Sequence, residues 1–242
     1  VAAITVELAK GRLPVLAGAG GYNTFEVIAM ARELAALGVD GILSVTPYYN
    51  KPTQEGLYQH YCAIAAAVPL PIILYSVQGR TGVNIEPATV QRLAAIDNIV
   101  GIKEASGNIA QMAAILNVVP ERFLVLSGDD AVTLPLIALG GRGVISVVSN
   151  EIPAEMARLT RLCLQNDLSA ARQLFRRYLP LMEVNFVESN PIPVKAAMAE
   201  MGLLEPAWRL PLVPPRPESH ARIRGVLESL GLVERTHVAI AS

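Results

Sequence analysis

The chain has 242 residues, 52% hydrophobic and 17% charged, with a formal net charge of -1 at pH 7. That length fits one large α/β domain or two small ones and supplies enough apolar residues for a sizeable core. A near-neutral balance without basic clusters argues against nucleic acid or an anionic membrane as a main partner, and leaves small molecules as the expected ligands.

In chain order, VAAITVELAKG (1–11) reads as the tail of a helix closing at Lys10 and Gly11, so the sequence is expected to open inside a domain. Apolar runs ending in Gly, Pro or polar residues then recur: LPVLAGAG (13–20), GILSVTP (41–47), PIILYSV (71–77), NIVGIKE (98–104), FLVLSGDD (123–130) and GVISVVSN (143–150). Between them, segments such as TFEVIAMARELAALG and TQEGLYQHYCAIAAA carry apolar residues at the three-to-four spacing of helices. Strands alternating with helices indicate a parallel sheet of βαβ units, and runs apolar nearly throughout indicate strands buried on both faces. A closed (β/α)8 TIM barrel or a doubly wound sheet fits. Only six strands are read where a full barrel has eight, so on the barrel reading the first strands are expected to be missing from this sequence. After residue 150 the strand signal stops. NPIPVKAAMAEMG reads as a helix with a Pro-rich start, PLVPPRPE (211–218) as a connector, and the residues from about 234 as a loose tail. The expected division is a barrel portion over 1–155 and the remaining barrel with a C-terminal helical extension over 156–242.

The two cysteines, Cys62 and Cys163, form no CxxC pair, so neither a disulfide framework nor a zinc site is read, and a reducing cytoplasm is the expected location. The longest apolar stretch, CAIAAAVPLPIIL, is broken by Pro69 and Pro71 and is shorter than the roughly 20 residues that span a bilayer. No signal-peptide pattern opens the chain.

In a parallel barrel the reactive groups sit at the carboxyl ends of the strands. Those ends here carry Gly18 to Gly21, Thr46 to Asn50, Tyr75 to Thr81, Lys103, Ser127 to Asp130, and Ile145 with Ser146. Of the four lysines, at 10, 51, 103 and 195, only Lys103 belongs to a strand expected to be buried. An ammonium is costly to bury unpaired, so Lys103 is a snorkelling side chain, half of an ion pair with Glu104 as partner, or a working amine. Desolvation lowers a lysine pKa and leaves free amine to attack a ketone as a Schiff base. The resulting imine needs a proton shuttle, for which Tyr75 and Tyr49 are candidates, and Arg80 offers a planar fork for a substrate carboxylate. Bland alternatives stand beside each: Tyr48 and Tyr49 as core or interface aromatics, Arg80 as a surface residue closing a turn. Asp129 and Asp130 read as helix-capping residues in preference to a metal pair. His60, His220 and His237 have no ligand-like spacing, so a metal-dependent aldolase is not expected. Gly18-Ala19-Gly20 is a weak dinucleotide fingerprint, since the third glycine would fall at Asn23.

VTPYYNKPTQEGLYQHY, ILYSVQGRTGVN, NIVGIKEASGN, LSGDDA, GVISV and NPIPVK, in this order, closely resemble the dihydrodipicolinate synthase family of pyruvate-dependent class I aldolases, from about residue 12 to 232. The resemblance implies an eight-stranded barrel with a C-terminal helical extension, usually assembled as a homotetramer of two tight dimers. It implies no cofactor and no metal, the substrate pyruvate itself being held as a Schiff base. The implied reaction condenses pyruvate with L-aspartate 4-semialdehyde to 4-hydroxy-tetrahydrodipicolinate, toward diaminopimelate and lysine. Residue by residue, it implies Lys103 as the Schiff-base lysine, Tyr75 as the proton relay, and Tyr49 as the tyrosine that reaches across the tight dimer into the neighbouring site. Arg80 matches the arginine on the aldehyde substrate's carboxylate, and the backbones of Gly128 and Ile145 match positions lining the site. Tyr48 and Glu26 match positions that contact a lysine inhibitor.

Three departures from the family pattern stand out. The GTTGE-type loop that binds the pyruvate carboxylate is not in the sequence, so the tyrosine relay is expected to be incomplete in this chain. The usual YNVP is YSVQ, with Ser76 and Gln78, and an altered loop rigidity is expected. Tyr22 stands where lysine-inhibited members often carry asparagine. The alternatives are a sister aldolase acting on a 2-keto-3-deoxy acid or N-acetylneuraminate, and a non-catalytic truncated barrel.

Overall fold

The computed structural model describes residues 1–234; residues 235–242, which hold His237 and the expected loose tail, lie outside the described residues. The chain divides into two compact units, 1–145 and 146–242, a boundary ahead of the expected one, which falls inside a helix.

The first unit opens with α1 (Ala2–Ala9), closed as expected by Lys10 in the left-handed conformation at φ 48 and by Gly11 at φ 70. There follow β1 (Leu16–Gly18), α2 (Thr24–Ala36), β2 (Gly41–Val45), α3 (Gln54–Ala67), β3 (Ile72–Ser76), the single turn α4 (Gln78–Thr81), α5 (Pro87–Leu93), β4 (Ile99–Glu104), α6 (Ile109–Val118), β5 (Leu124–Ser127), α7 (Thr133–Ala138) and β6 (Gly143–Val144). Every strand lies inside one of the expected apolar runs. All pairings are parallel and the sheet order is β1-β2-β3-β4-β5-β6. Strands in chain order with a helix in each crossover are the outcome of repeated right-handed βαβ connections. The open GAG segment is not a dinucleotide fingerprint, because Asn23 caps α2, its side chain accepting from the Phe25 N–H at 3.1 Å.

The core lies between sheet and helices. Alternate strand residues Ile42, Ile72, Leu74, Ile102 and Val125 are fully buried, and Leu57, Ile64, Leu93, Met112 and Ile115 on the helices meet them. Burying each such side chain contributes about 1.5–3 kcal/mol. Asn98 fixes the entry to β4, its amide donating to the carbonyls of Ala65 and Val68 at 2.9 and 3.0 Å, so the end of α3 and the start of β4 are tied together.

The second unit contains α8 (Pro153–Leu164), α9 (Leu168–Val184), α10 (Ile192–Glu200) and α11 (Pro217–Leu230). PLVPPRPE is a connector only in part, since α11 begins at Pro217 with proline in its first turn. Glu200 on α10 receives His220 at 3.0 Å and Arg224, both from α11. No described helix is long and apolar enough to cross a membrane.

Candidate active site

Register decides which side chains meet at the carboxyl ends of β3 and β4. Ile72 pairs with Ile99, but Ile73 pairs with Gly101, so β4 carries one extra residue, Val100, at this point. Downstream of that step Tyr75 stands opposite Lys103 and Ser76 opposite Glu104. Because side chains on a strand alternate between faces, an unbroken register would have set Tyr75 against Ile102 and turned the pair apart. The step instead puts phenol and amine on one face: the Lys103 Nζ lies 4.1 Å from the centroid of the Tyr75 ring.

Lys103 and Glu104 point to opposite faces of β4. Glu104 is fully buried, and its carboxylate accepts from the Ser106 N–H at 3.2 Å and the Gln111 amide at 2.8 Å. The described ion pairs include none on Lys103, so the Lys103–Glu104 ion pair that the sequence left open is not formed. Burial holds the Lys103 amine below the ordinary lysine range, against the upward pull of the Asp130 carboxylate and with the help of the Arg80 guanidinium. Burial also raises the Tyr75 phenol, and Arg80 opposes that rise. The amine is thereby biased toward its nucleophilic form and the phenol toward its proton-carrying form.

Two glycines let these strands approach. A Cβ at Gly128 would sit 2.5 Å from Ala105 Cβ and 3.0 Å from Lys103 Cε, so the absence of a side chain there makes room for the lysine stem. The Gly128 N–H donates to the Glu104 carbonyl at 2.8 Å. At Gly101 a Cβ would meet the Leu124 carbonyl oxygen at 2.5 Å.

A cavity of about 550 Å³ opens at the strand ends, lined by Gly18, Ala19, Gly20, Leu43, Val45, Tyr48, Tyr75 and Arg80 among others. Arg80 sits on α4, and so reaches the same cavity as the Tyr75 phenol. Of the remaining residues singled out in the sequence, Ile145 follows β6 and donates its N–H to Ser127 O at 2.9 Å. Tyr48 borders the cavity and packs edge-to-face on Tyr22 with centroids 5.5 Å apart. Glu26, in the first turn of α2, accepts from the Asn23 amide at 3.0 Å. Tyr49 does not line this cavity; it is 91% exposed and has φ 68, a strained value for a residue with a Cβ. The capping role holds for Asp129, whose carboxylate accepts from the Ala131 N–H at 2.9 Å, but not for Asp130, which is buried inside the 3-10 turn that follows. His60 is buried on α3 with Nδ1 2.9 Å from Thr24 Oγ1. Among the described residues no group of three or more His, Cys, Asp or Glu side chains is placed to hold a metal ion.

The profile of the dihydrodipicolinate synthetase family matches residues 1–230. The chain belongs to that family. A 4-hydroxy-tetrahydrodipicolinate synthase of Koribacter versatilis is 52% identical over 240 residues, covering 99% of this chain and 80% of that protein. The crystal structure of dihydrodipicolinate synthase from Thermotoga maritima superposes with a TM-score of 0.94 at 44% identity, covering 96% of this chain and 80% of that one. The same TM-score, identity and shares hold for the chloride-inhibited dihydrodipicolinate synthase from Acinetobacter baumannii complexed with pyruvate. As a member of the dihydrodipicolinate synthetase family the chain is an enzyme of the lyase type, and its six parallel strands match those of the solved dihydrodipicolinate synthases.

Two features of this site are missing from the sequence reading above, and they differ in whether a signal could have shown them. The register step at Val100 leaves no compositional mark, since Val100 is as apolar as its neighbours. The buried polar residues behind β3 and β4 do leave one: Ser76 and Glu104 occupy positions where the alternation Ile72, Leu74 and then Ile102 calls for an apolar side chain.

Proposed function

We propose that this chain is a 4-hydroxy-tetrahydrodipicolinate synthase, condensing pyruvate with L-aspartate 4-semialdehyde by Schiff-base chemistry on Lys103. The observation that carries the proposal is the half-buried Lys103 amine held over the Tyr75 ring at the end of β4. The Lys103 amine adds to the pyruvate ketone carbon; water leaves and a protonated imine remains. Loss of a methyl proton gives an enamine, the imine nitrogen taking the electron pair. The enamine carbon then bonds to the aldehyde carbon of the semialdehyde, whose oxygen takes a proton; the semialdehyde's amino group attacks the imine carbon, closing the ring and, after proton transfer, displacing the Lys103 amine. Tyr75 carries the protons to and from these centres. Arg80, on the same cavity, fits the second substrate's carboxylate through a forked pair of N–H bonds.

The family's other roles extend the proposal. Tyr49, exposed and strained, suits a residue completing the site of a second subunit in a homotetramer of two tight dimers. The backbones of Gly128 and Ile145 border the reacting centre, and Tyr48 with Glu26 marks a lysine effector site. The six strands read as consecutive strands of a (β/α)8 barrel, with 156–242 as the helical extension, acting in the cytoplasm on small-molecule substrates without a resident cofactor.

Incubation of the protein with pyruvate and borohydride tests the chemistry. Mass spectrometry is expected to find a reduced pyruvate adduct on Lys103, lost in Lys103→Ala. An adduct elsewhere, or none, refutes the mechanism. Turnover with aspartate semialdehyde but not with N-acetylneuraminate then separates the synthase from its sister aldolases.

A further inference from the structure

Behind the sheet, on the helix-facing side of β3 and β4, runs a line of polar side chains with no part in the proposed chemistry. Ser76 and Glu104 are fully buried, and Asn84 and Gln111 are partly so. Buried polar groups are costly unless bonded, and these bond one another. The Ser76 hydroxyl donates to Asn84 Oδ1 at 3.3 Å and accepts from the Ile85 N–H at 3.2 Å. Asn84 and Gln111 exchange two amide bonds, Asn84 Nδ2 to Gln111 Oε1 at 2.7 Å and Gln111 Nε2 to Asn84 Oδ1 at 3.0 Å. Gln111 Nε2 also donates to Glu104 Oε1. Finally, Gln54 Nε2 donates to the Asn84 carbonyl at 2.8 Å, while Gln54 Oε1 accepts from the Glu86 N–H and from Thr89.

The direction of these bonds is set from one end. A carboxylate only accepts, so Glu104 obliges Gln111 to present its amide nitrogen. Gln111 then orients Asn84, and Asn84 offers its oxygen to Ser76. The line joins strand positions 76 and 104, each one residue beyond the Tyr75 and Lys103 pair, to residue 84. Between Ser76 and Asn84 lies the whole segment that carries Arg80. Its near end is fixed by the β3–β4 ladder and its far end by Asn84 and Gln54. Within the segment, Thr81 closes the turn by donating to the Val77 and Val83 carbonyls at 3.2 and 3.0 Å.

We propose that Ser76, Asn84, Gln111 and Glu104 are positioning residues that lock the Arg80 turn to the Lys103 strand and so set the affinity for the carboxylate of the second, aldehyde-bearing substrate. The proposal rests on the synthase reading and deepens it. Loosening the line leaves the Lys103 and Tyr75 pair in place, because that pair is held by the ladder, but lets the guanidinium wander. Remote anchoring of this kind affects one substrate more than the other.

The test uses Ser76→Ala, which removes one oxygen, Gln111→Met, which keeps the length of the side chain and removes its amide, and the double variant. Each single change is expected to raise KM for aspartate semialdehyde roughly tenfold, the weight of a lost buried hydrogen bond. The borohydride-trapped pyruvate adduct and KM for pyruvate are expected to stay within about twofold of the parent. Because both changes act through Asn84, the double variant should be no worse than the worse single. A parallel loss for both substrates, multiplying effects in the double variant, or unchanged semialdehyde kinetics beside a normal adduct overturns the positioning role alone. A parent protein that forms no adduct overturns the synthase reading and this proposal with it.

Discussion

Lys103 and Glu104 are consecutive residues on β4, yet they occupy opposite regions of the first unit. On the cavity side the amine has one close aromatic neighbour and no carboxylate within ion-pair distance among the described residues. On the helix side the carboxylate is enclosed by N–H donors. Both groups are desolvated, and burial moves both toward neutrality: the lysine pKa falls and the glutamate pKa rises, the latter opposed by the bonds from Ser106 and Gln111. The difference lies in what surrounds them. An amine with few polar partners keeps its lone pair available for attack, whereas a carboxylate with several is held still. One strand thus separates the proposed chemistry from scaffolding by the alternation of its faces.

The strongest way to break this comparison is to silence the cavity face without touching the scaffold face. Tyr75→Phe keeps the ring over Lys103 and deletes the proposed proton carrier, and kcat is expected to fall roughly 10²–10³-fold in steady-state assays with the adduct still trappable. An unchanged kcat would reduce Tyr75 to packing. Gly128→Ala sharpens the comparison from the lysine's own side, because the new methyl meets the Lys103 stem and Ala105. Its adduct formation with pyruvate, followed by single-turnover trapping, is expected to slow about tenfold with thermal stability lowered by about 1 kcal/mol. The smallest effect concerns a buried titratable group outside both faces. Burial lowers the His60 pKa from 6.5 to about 4. The folded chain therefore keeps His60 neutral at pH values where the unfolded chain takes a proton. The stability it supports is whole above pH 6.5 and is lost as the pH falls toward 4. Between pH 7 and 5.5 denaturant midpoints should record a loss of about 1 kcal/mol that His60→Gln abolishes.

Much of this arrangement was legible in the sequence, for definite reasons. Strands buried on both faces declare themselves as apolar runs, so all six were placed, and Lys103 stood out as the one lysine among them. The capping residue Asp129 is a local signal and folds as such, accepting from the Ala131 N–H. What was not legible depends on distance along the chain. Glu104 was weighed as the partner of Lys103 because adjacent residues look close in a sequence, but strand geometry turns them away from each other. The line from Ser76 to Glu104 gathers residues from two strands, a loop and a helix; the polar interruptions at Ser76 and Glu104 mark its two ends, but no local pattern joins them through Asn84 and Gln111. Tyr49 is a different case: its conformation and exposure fit a role that this chain alone does not display.

The extra residue at Val100 has a consequence for how the gene can change. What matters at position 100 is that its residue stays out of the pairing. Another β-branched residue would be silent there, and loss of that single codon would close the ladder between Ile99 and Gly101 while leaving Tyr75 opposite Lys103; a strand that kept Val100 but drew it into the ladder would instead bring Ser76 opposite Lys103 and turn the amine toward the helix layer. The facing of phenol and amine thus tolerates a one-codon deletion at the step and is vulnerable to a one-residue slip of β4 along β3.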